Sequence, residues 1–410
     1  MRLLFLTQLF DPENSIKGLE FARRLTRLGH SVEVVTAYPS YPGGKIYAGY
    51  KSRWMQTEIT DGVRVVRLAT YISHDKSALK RLLGYSSFGV AAFFYVLLNF
   101  RKYDVIYAYY PPVVVGILAW VLSLVKSAPF IYDVQDLWPD ALIGTKMLHA
   151  NSRIVTVLNL ACDFVYKKAA AIVVLSDGYN RSLVQRGVPA DKIYKIFNWC
   201  DESRLSSVIF PNEAKKIKES FDIFYAGNFG AAQALEYVLG AAEILQAKGN
   251  KKIMFVLIGS GVDSEKLKAL ATKKNLNNVL FKAAVTVDQV GAVLACADAL
   301  LVHLASSPVF DITIPSKTQA YMSIGKPILM AVNGDAAEII INAQCGVIAE
   351  SCNSEKIADA AIELSIMSNN DLQKMSENAK NFYYENMSMS QGVDKVNRLL
   401  QEVSAHEKHV

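Results

Sequence analysis

The residues best suited to chemistry lie late in the second half of the sequence. Pro315, Ser316 and Lys317 stand between a loop and a short predicted helix that ends at Gly325. Proline fits the start of a helix, and Ser316 and Thr318 offer oxygens for capping it. A helix start presents backbone N–H groups and a partial positive charge, to which Lys317 adds a full charge. The pattern suits a phosphate site, although an ordinary capped helix with a solvated lysine remains the alternative.

Two glycine-containing loops follow earlier predicted strands. Asn228 and Gly230 lie after one strand, and Gly259 and Gly261 lie after the next. Small residues let backbone N–H groups approach an anion, whereas each loop alone also fits a plain tight turn. The carboxyl ends of parallel strands meet at one edge of a sheet. We therefore expect these loops and Lys317 to converge on a diphosphate.

Polar loops also follow strands in the first half of the chain. Asp136, Trp138 and Asp140 come directly after a strand predicted for residues 130–134, and Glu13 follows the first strand. Carboxylates and a tryptophan at a strand end are typical of a binding pocket. A loop that caps the next helix is the alternative.

The amino-acid composition limits the class of protein. The chain has 410 residues, 51% of them hydrophobic and 20% charged, with a formal net charge of +6. Such a chain is globular and long enough for two or three domains. The charge is too small to indicate nucleic-acid binding, but it allows anionic substrates or an anionic membrane surface. Five scattered cysteines without a CxxC pair predict reduced thiols in the cytoplasm and no zinc site.

Two stretches are unusually apolar, residues 88–100 and 111–125. Each is shorter than the roughly 20 residues that span a bilayer, so we expect buried helices. Basic residues flank the first stretch and keep a peripheral membrane contact open: Lys76, Lys80, Arg81, Arg101 and Lys102. The first ten residues predict a core strand and not a signal peptide.

Strands and helices alternate along the chain, which predicts parallel sheets. A polar stretch at residues 204–218 interrupts the alternation and suggests a linker between two doubly wound α/β domains. We place the first domain at residues 1–203 and the second at 204–385, with a C-terminal helix from about 386–410 returning to the first. That helix is the last part of a long final helix that is predicted for Asp371–Val403, with a bend near Met387-Ser388-Met389.

Several motifs together resemble the retaining glycosyltransferases of family 4, which have the GT-B fold. The resemblance is strongest to the bacterial O-antigen, capsule and colanic acid branch and covers nearly the whole chain. Its most specific mark is the segment Asp133-Val134-Gln135-Asp136-Leu137-Trp138-Pro139-Asp140. Further marks are Phe10-Asp11-Pro12-Glu13, Leu28-Gly29-His30, Tyr38-Pro39-Ser40-Tyr41-Pro42, Asn198-Trp199-Cys200-Asp201, Tyr225-Ala226-Gly227-Asn228 and Pro315-Ser316-Lys317.

The resemblance implies two Rossmann-like domains, a donor nucleotide-sugar on the second and an acceptor on the first, with no cofactor and no metal. It implies a catalytic role for Asp136 and acceptor contacts from Glu13, Trp138 and Asp140. Asp311 is predicted as the second catalytic residue, one position away from where the family has a glutamate. The predicted donor residues are Asn228, Gly230, Ser316 and Lys317 for the diphosphate, and Gly259, Gly261 and Glu338 for the nucleotide or ribose.

The sequence departs from the family pattern at two places. The usual pair of glutamates falls at Ile312 and Ala320, neither of which is acidic, so Asp311 and Glu338 are the candidates to replace them. The loop 228–233 also lacks the usual basic pair. This leaves Lys317 as the main cation for the diphosphate.

These patterns predict a cytoplasmic, membrane-peripheral enzyme that transfers a sugar from a UDP-sugar to a lipid-linked saccharide. The sugar is expected to be an N-acetylated or deoxy amino sugar. Two other functions stay open: a UDP-sugar epimerase or hydrolase that uses His303 and Asp311, and a non-catalytic partner that binds a nucleotide-sugar.

Overall fold

A computed structural model describes residues 1–41, 43–51, 53–72, 78–110, 112–144, 147–206 and 220–406. The chain forms two compact units. Unit 1 consists of residues 1–197 and 392–410, and unit 2 of residues 198–391. Lys76 and most of the predicted linker lie outside the described residues, as does the side chain of Arg81.

Unit 1 is built on an eight-stranded sheet with the strand order β3-β4-β2-β1-β5-β6-β7-β8. All neighbours pair in parallel except β3 and β4, which form an antiparallel hairpin. The Asp61-Gly62 pair between these strands predicts either a hairpin or the entry to a strand, and the hairpin is what forms. The strands are β1 (Arg2–Thr7), β2 (Ser31–Ala37), β3 (Met55–Thr60), β4 (Val63–Leu68), β5 (Val105–Tyr110), β6 (Phe130–Asp133), β7 (Ala171–Val174) and β8 (Ile193–Lys195).

Helices connect these strands and cover the sheet. They are α1 (Leu19–Arg27), α2 (Ala78–Leu98), α3 (Pro112–Lys126), α4 (Asp140–Gly144), α5 (Arg153–Lys168) and α6 (Asp177–Gln185). Helix α3 packs against α2 on one side and α5 on the other, and it also contacts β5 and β6. Helices α2, α3 and α5 run in the same direction, because each joins two strands that are parallel to each other.

Unit 2 contains a six-stranded sheet with the order β11-β10-β9-β12-β13-β14, and its strand pairs are parallel. Its strands are β9 (Phe221–Asn228), β10 (Ile253–Ser260), β11 (Val279–Lys282), β12 (Ala299–His303), β13 (Ile328–Ala331) and β14 (Gly346–Ile348). Fully buried aliphatic and aromatic side chains on these strands form the core with α8 and α14. The two sheets are those of the predicted GT-B architecture.

The remaining helices belong to unit 2, except that α16 contributes its residues from 392 onward to unit 1. They are α7 (Glu202–Ser206), α8 (Glu236–Ala247), α9 (Ser264–Lys273), α10 (Val287–Ala295), α11 (Pro308–Asp311), α12 (Ser316–Ile324), α13 (Asp335–Ala343), α14 (Ser354–Ile366), α15 (Asn369–Asn386) and α16 (Met389–His406).

Some local predictions were wrong. Neither Ser316 nor Thr318 caps α12, whose N-cap is Pro315. The sequence also favours Ser354 as the cap of α14, whereas the cap is Asn353, which accepts a hydrogen bond from the Lys356 N–H. The single bent helix predicted near the C-terminus is two helices, α15 and α16, divided close to the expected bend. No prediction covered β8, α13 or β14.

The two apolar stretches form α2 and α3, as expected, but these helices are not fully buried. Each buries one side and exposes large apolar side chains on the other, among them Phe94 and Leu98 on α2 and Leu124 on α3. Across the described ranges, no helix combines the length and the apolar character that crossing a membrane requires.

Candidate active site

Lys317 lies against the end of β9 in unit 2. It occupies the first turn of α12, and its Nζ is 4.6 Å from the centre of the Tyr225 ring. A Cβ placed on Gly227 would come within 2.6 Å of the Lys317 Cε and 2.8 Å of its Nζ. Glycine at position 227, with φ of +147°, therefore leaves the space that the lysine side chain fills.

The ammonium group of Lys317 has no negative counterpart in the part of the chain that the structure describes, where no carboxylate lies within ion-pair distance. Desolvation by the surrounding protein lowers the pKa of Lys317 to about 8. A cation that has lost water without gaining an anion creates a favourable place for a negatively charged ligand.

The start of α12 lies at the same place, since Lys317 is in its first turn. This helix start has no side-chain cap among its described neighbours. The Thr318 N–H donates to the Pro315 carbonyl oxygen at 2.8 Å, so the N–H groups before it, those of Ser316 and Lys317, are left for an anion. Tyr321, on the same helix, accepts a hydrogen bond from the Ala226 N–H through its hydroxyl at 2.9 Å, and the Tyr225 hydroxyl donates to the Asn228 carbonyl at 2.7 Å. Tyr321 therefore fixes α12 against the end of β9, and the Tyr225 hydrogen bond holds that end of the strand in shape.

The glycine loops pack directly on one another. A Cβ on Gly259 would approach the Gly227 carbonyl oxygen to 1.9 Å, and one on Gly261 would approach the Phe229 carbonyl oxygen to 2.2 Å. Asn228 is exposed at this edge, and its side-chain amide donates to Gln233 at 3.2 Å. Asn228, Gly259, Gly261 and Lys317 are thus brought together around the carboxyl ends of β9 and β10, and contact of the glycines with a nucleotide stays a prediction.

Gly230 lies beside Asn228, and Ser316 precedes Lys317. A Cβ on Gly230 would come within 2.8 Å of the Asn228 side-chain nitrogen. The side chain of Ser316 is exposed. Both residues therefore belong to the same edge as Lys317.

The two acidic candidates are Asp311, in the segment after β12, and Glu338, in the segment after β13. Asp311 ends α11, and its backbone touches Gly334, where a Cβ would come within 2.0 Å of the Asp311 carbonyl oxygen. Desolvation raises the pKa of the Asp311 carboxyl, and a hydrogen bond with Asn333 opposes this shift. Glu338 is exposed in the first turn of α13. No contact joins either carboxylate to Lys317 within the described residues, and their roles stay predictions.

His303 is held by the backbone on both ring nitrogens. Its Nδ1 lies 2.7 Å from the Gln233 carbonyl oxygen, and its Nε2 accepts a longer hydrogen bond from the Cys352 N–H at 3.4 Å. The ring is buried and stacks on Tyr237. Burial lowers the pKa of His303, which keeps it neutral near pH 7. These contacts give His303 a structural role.

In unit 1, the loop after β6 carries the predicted acceptor side chains. The Trp138 ring lies 6.3 Å from the Tyr85 ring of α2. Asp140 accepts a hydrogen bond from Arg186 at 2.7 Å, which ties α4 to the end of α6. Asp136 is exposed to solvent, yet the protein packed around it raises the pKa of its carboxyl by desolvation. Because Asp140 is paired with Arg186, Asp136 is the carboxylate of this loop that is better placed to contact a ligand.

Glu13 is buried and engaged by the backbone. Its Oε1 accepts hydrogen bonds from the Ser40 N–H at 2.6 Å and the Tyr41 N–H at 2.7 Å. Burial raises the pKa of Glu13, and the backbone hydrogen bonds oppose that effect. The carboxylate therefore holds the loop that follows β2, and its predicted contact with the acceptor stays untested.

Sequence reasoning missed a buried ion pair beneath these loops. Lys17 Nζ lies 2.7 Å from Asp133 Oδ2, and both side chains are fully buried. The Tyr107 hydroxyl and the Gln135 amide also donate to Asp133, at 2.5 and 2.6 Å. The only sequence signal was an aspartate at the end of an apolar strand.

Two protein-family models match this chain. The family of glycosyl transferases group 1 matches residues 209–382, and the glycosyl transferase 4-like domain matches residues 19–199. The two matches together span most of the chain. The chain therefore carries a glycosyl transferase 4-like domain followed by a domain of the glycosyl transferases group 1, and the protein is a glycosyltransferase with the GT-B fold.

Individual relatives are more distant. A protein named as a colanic acid biosynthesis glycosyl transferase, WcaI of Escherichia coli K12, is 27% identical over 339 residues, which cover 79% of this chain and 82% of the relative. A protein named as the glycosyltransferase WbjE of Pseudomonas aeruginosa is 26% identical over 247 residues, 58% of this chain and 60% of the relative.

Solved structures share the fold at low sequence identity. Anabaena HepE in complex with UDP superposes with a TM-score of 0.69 at 15% identity and covers 98% of this chain and 100% of that chain. The sucrose-phosphate synthase of Thermosynechococcus elongatus has a TM-score of 0.73 at 14% identity, with 99% of both chains covered.

Proposed function

We propose that this protein transfers a sugar from a UDP-sugar to a saccharide linked to a polyprenyl diphosphate, in the assembly of a bacterial surface polysaccharide. The observation that carries the proposal is the desolvated Lys317 ammonium group at the uncapped start of α12. The diphosphate of a nucleotide-sugar supplies the anion that this group lacks. When the sugar leaves, negative charge builds up on that diphosphate, and Lys317 stabilises it.

The relatives support the choice of nucleotide and pathway. HepE has been solved with UDP and with UDP-glucose, and WcaI is named for colanic acid biosynthesis. We extend this to O-antigen or capsule assembly, with an N-acetylated or deoxy amino sugar as the group transferred.

The proposed reaction retains the anomeric configuration and uses no protein nucleophile. The acceptor oxygen bonds to the anomeric carbon while the bond from that carbon to the diphosphate breaks. The acceptor hydroxyl gives its proton to a phosphate oxygen of the donor. Lys317 and the N–H groups of α12 supply the positive charge, so the reaction is proposed to need no metal; Asp136 and Asp311 are the carboxylates assigned to the reacting groups.

The epimerase or hydrolase alternative would use His303 as a catalytic base, and the contacts of this ring oppose that role. It required a catalytic base in the site, and both nitrogens of His303 are occupied by backbone groups. The non-catalytic alternative rests on Ile312 and Ala320, where the family glutamates are absent. Turnover with any acceptor would exclude it.

We also propose a cytoplasmic location at the inner face of the cell membrane. On unit 1, the outer sides of α2, α3 and α5 expose apolar side chains. We call the following set of them the apolar face: Phe94, Leu97, Leu98, Ile117, Leu124, Val125, Ile154, Val157, Leu160 and Phe164. Cations follow at the C-terminal ends of the three helices: Arg101, Lys102, Lys126, Lys167 and Lys168. Apolar side chains bordered by cations suit the surface of an anionic bilayer.

Nucleotide-dependent thermal stabilisation tests the donor site. UDP, GDP, ADP and dTDP are added separately, without metal and then with magnesium, to the parent protein and to Lys317→Met. We expect UDP to raise the melting temperature of the parent without metal and to have little effect on the variant. Methionine keeps the packing on Tyr225 but removes the charge. Stabilisation of parent and variant to the same extent would contradict the proposed role of Lys317.

Lys248→Met is the matched control in the same unit. Lys248 is 56% exposed and faces Asp359 on the surface of α8 and α14. Its loss should leave the response to UDP unchanged. No response of the parent to any nucleotide would count against the proposed function itself.

A further inference from the structure

An open apolar groove lies on unit 1 between the β3–β4 hairpin and the first half of α2. Its volume is about 430 Å³, and its surface is almost entirely apolar. Trp54, just before β3, and Tyr71, just after β4, face Leu83 and Val90 across it. All four side chains are exposed, so the groove presents a concave apolar surface to solvent. Concave apolar surfaces of this size are typical of ligand sites.

Hydrogen bonds hold the two walls of the groove in place. The Tyr71 N–H donates to the Ser87 hydroxyl at 2.8 Å, and that hydroxyl donates to the Gly84 carbonyl at 2.8 Å. The Ala69 N–H donates to the Trp54 carbonyl at 3.2 Å. The groove is therefore formed in advance, and a ligand would not have to order it.

The groove begins next to the predicted acceptor loop. Tyr71 follows β4 and so lies at the carboxyl edge of the sheet, where the loop after β6 also lies. On α2, Tyr85 contacts the Trp138 ring of that loop and lies two residues from both Leu83 and Ser87, which places it on another side of the same turn of the helix. The groove and Trp138 therefore lie at the same level of α2, one helix diameter (roughly 10 Å) apart.

The other end of the groove continues into the apolar face. Val90, Phe94 and Leu97 follow each other at helical spacing and are all exposed. A long apolar chain leaving the groove would remain on apolar surface along α2. This continuity favours a chain-like ligand over a compact one.

Positive charge stands beside the groove. Lys51 and Arg53, just before Trp54, have exposed side chains. They suit a phosphate attached to the apolar chain.

We infer that this groove binds the hydrocarbon chain of a lipid phosphate, the part of the acceptor lipid nearest to its phosphate. The inference rests on the proposed function, because it assigns a site to the lipid of the acceptor. It separates two kinds of lipid contact on unit 1. The groove holds one chain in a defined position, and the apolar face beyond it rests on the bilayer.

Farnesyl phosphate is the probe for a calorimetric titration without detergent, and saturating UDP keeps its phosphate away from Lys317. Inorganic phosphate, titrated in parallel, measures any contribution of the head group alone. We expect farnesyl phosphate to bind the parent protein and inorganic phosphate to bind far more weakly. Val90→Asn should weaken farnesyl phosphate binding about tenfold, because an apolar contact is replaced by a polar group.

Leu98→Asn is the matched control, because it makes a similar change on the same helix at an exposed position outside the groove. It should bind farnesyl phosphate like the parent. Trp54→Ala changes the wall opposite α2 and should weaken farnesyl phosphate binding as well. A loss in both variants cannot come from a weakened α2 helix alone.

Three results would overturn the inference: no binding of farnesyl phosphate by the parent, equal binding of inorganic phosphate, or equal losses at Val90 and Leu98. Self-association of the parent that is lost in Val90→Asn, without farnesyl phosphate binding, would reassign the groove to a second copy of the chain. The thermal response to UDP is measured on the same samples. If UDP still stabilises them, the groove assignment fails alone; if UDP has no effect on the parent, the proposed function fails.

Discussion

Lys17 and Asp133 form an ion pair of 2.7 Å with both side chains fully buried, directly beneath the loops that carry the predicted acceptor residues. Lys17 precedes α1, and Asp133 ends β6, one residue before the segment that leads to Asp136 and Trp138. The Lys17 ammonium also lies 5.2 Å from the centre of the Tyr109 ring. The pair therefore links the loop after β1 to the loop after β6.

Breaking this pair should destabilise the protein strongly. Lys17→Met leaves the Asp133 carboxylate buried without its cation, and such a change typically costs about 3–5 kcal/mol. The free energy of unfolding is measured by urea titration. Arg2→Met is the control, because the Arg2–Asp104 pair is partly exposed at 3.2 Å and its loss should cost at most about 1 kcal/mol. Similar losses for the two variants would show that burial does not set the strength of the Lys17 contact.

The sequence was sufficient to predict the sheets and most helices, because apolar strands alternate with amphipathic segments and glycines end several helices. It could not predict which polar side chains meet across the fold. Lys17 and Asp133 are far apart in the chain, and nothing in the spacing of either indicates the other. The same holds for Arg186, which engages the Asp140 carboxylate that the sequence analysis had assigned to the acceptor.

The edge of unit 2 around Lys317 shows what residue types can and cannot predict. A lysine after a proline at a helix start was enough to predict an anion site at Lys317. The desolvation of the Lys317 ammonium group depends on the Tyr225 ring and on the space left by Gly227. Both residues belong to β9, whereas Lys317 belongs to α12. Capping was mispredicted at Ser316 and Thr318 because serine and threonine favour helix starts in general, whereas here Pro315 takes the N-cap position.

UDP binding should weaken as the pH rises through about 8. The pKa of Lys317 is about 8 without ligand, so the ammonium form that attracts the diphosphate is already present below this pH. Above it, binding must take up a proton, and affinity should fall by up to about tenfold per pH unit. Calorimetric titration of UDP from about pH 7 upward avoids the ionisation of the UDP phosphate near pH 6.

Lys317→Arg provides the control for this profile. Arginine stays protonated over the whole range, so its UDP affinity should not change with pH. The unliganded parent should also become more stable as pH rises from about 8 toward 10.5, because the unfolded chain binds the extra proton there. Parent and variant sharing the same pH dependence would assign the titration to another group.

A methyl group at position 227 should abolish UDP binding by displacing Lys317. In Gly227→Ala the new Cβ would meet the lysine side chain at 2.6 Å, and the φ of +147° adds backbone strain. Gly249→Ala is the control, since Gly249 has φ of +72° in the same unit and nothing within 4 Å of its would-be Cβ. Thermal melting with and without UDP should show reduced stability in both variants and loss of the UDP response only in Gly227→Ala. A normal UDP response in Gly227→Ala would mean that the position of Lys317 against β9 does not matter for binding.

The apolar face should make the protein bind anionic vesicles. We expect co-sedimentation with vesicles that contain phosphatidylglycerol, and release by high salt, because the cations at the helix ends act through a screened charge interaction. Replacing Val157 and Leu160 together by glutamine should weaken vesicle binding about tenfold or more, since both are more than 60% exposed on α5 and bring apolar surface to the bilayer.

Ile366→Gln is the control, because Ile366 is 77% exposed but ends α14 in unit 2. Leu98→Asn should also lower vesicle binding while leaving farnesyl phosphate binding intact. Equal vesicle binding by all four proteins would mean that the exposed side chains of α2 and α5 do not contact lipid, and the cations alone would then account for any attraction to the membrane.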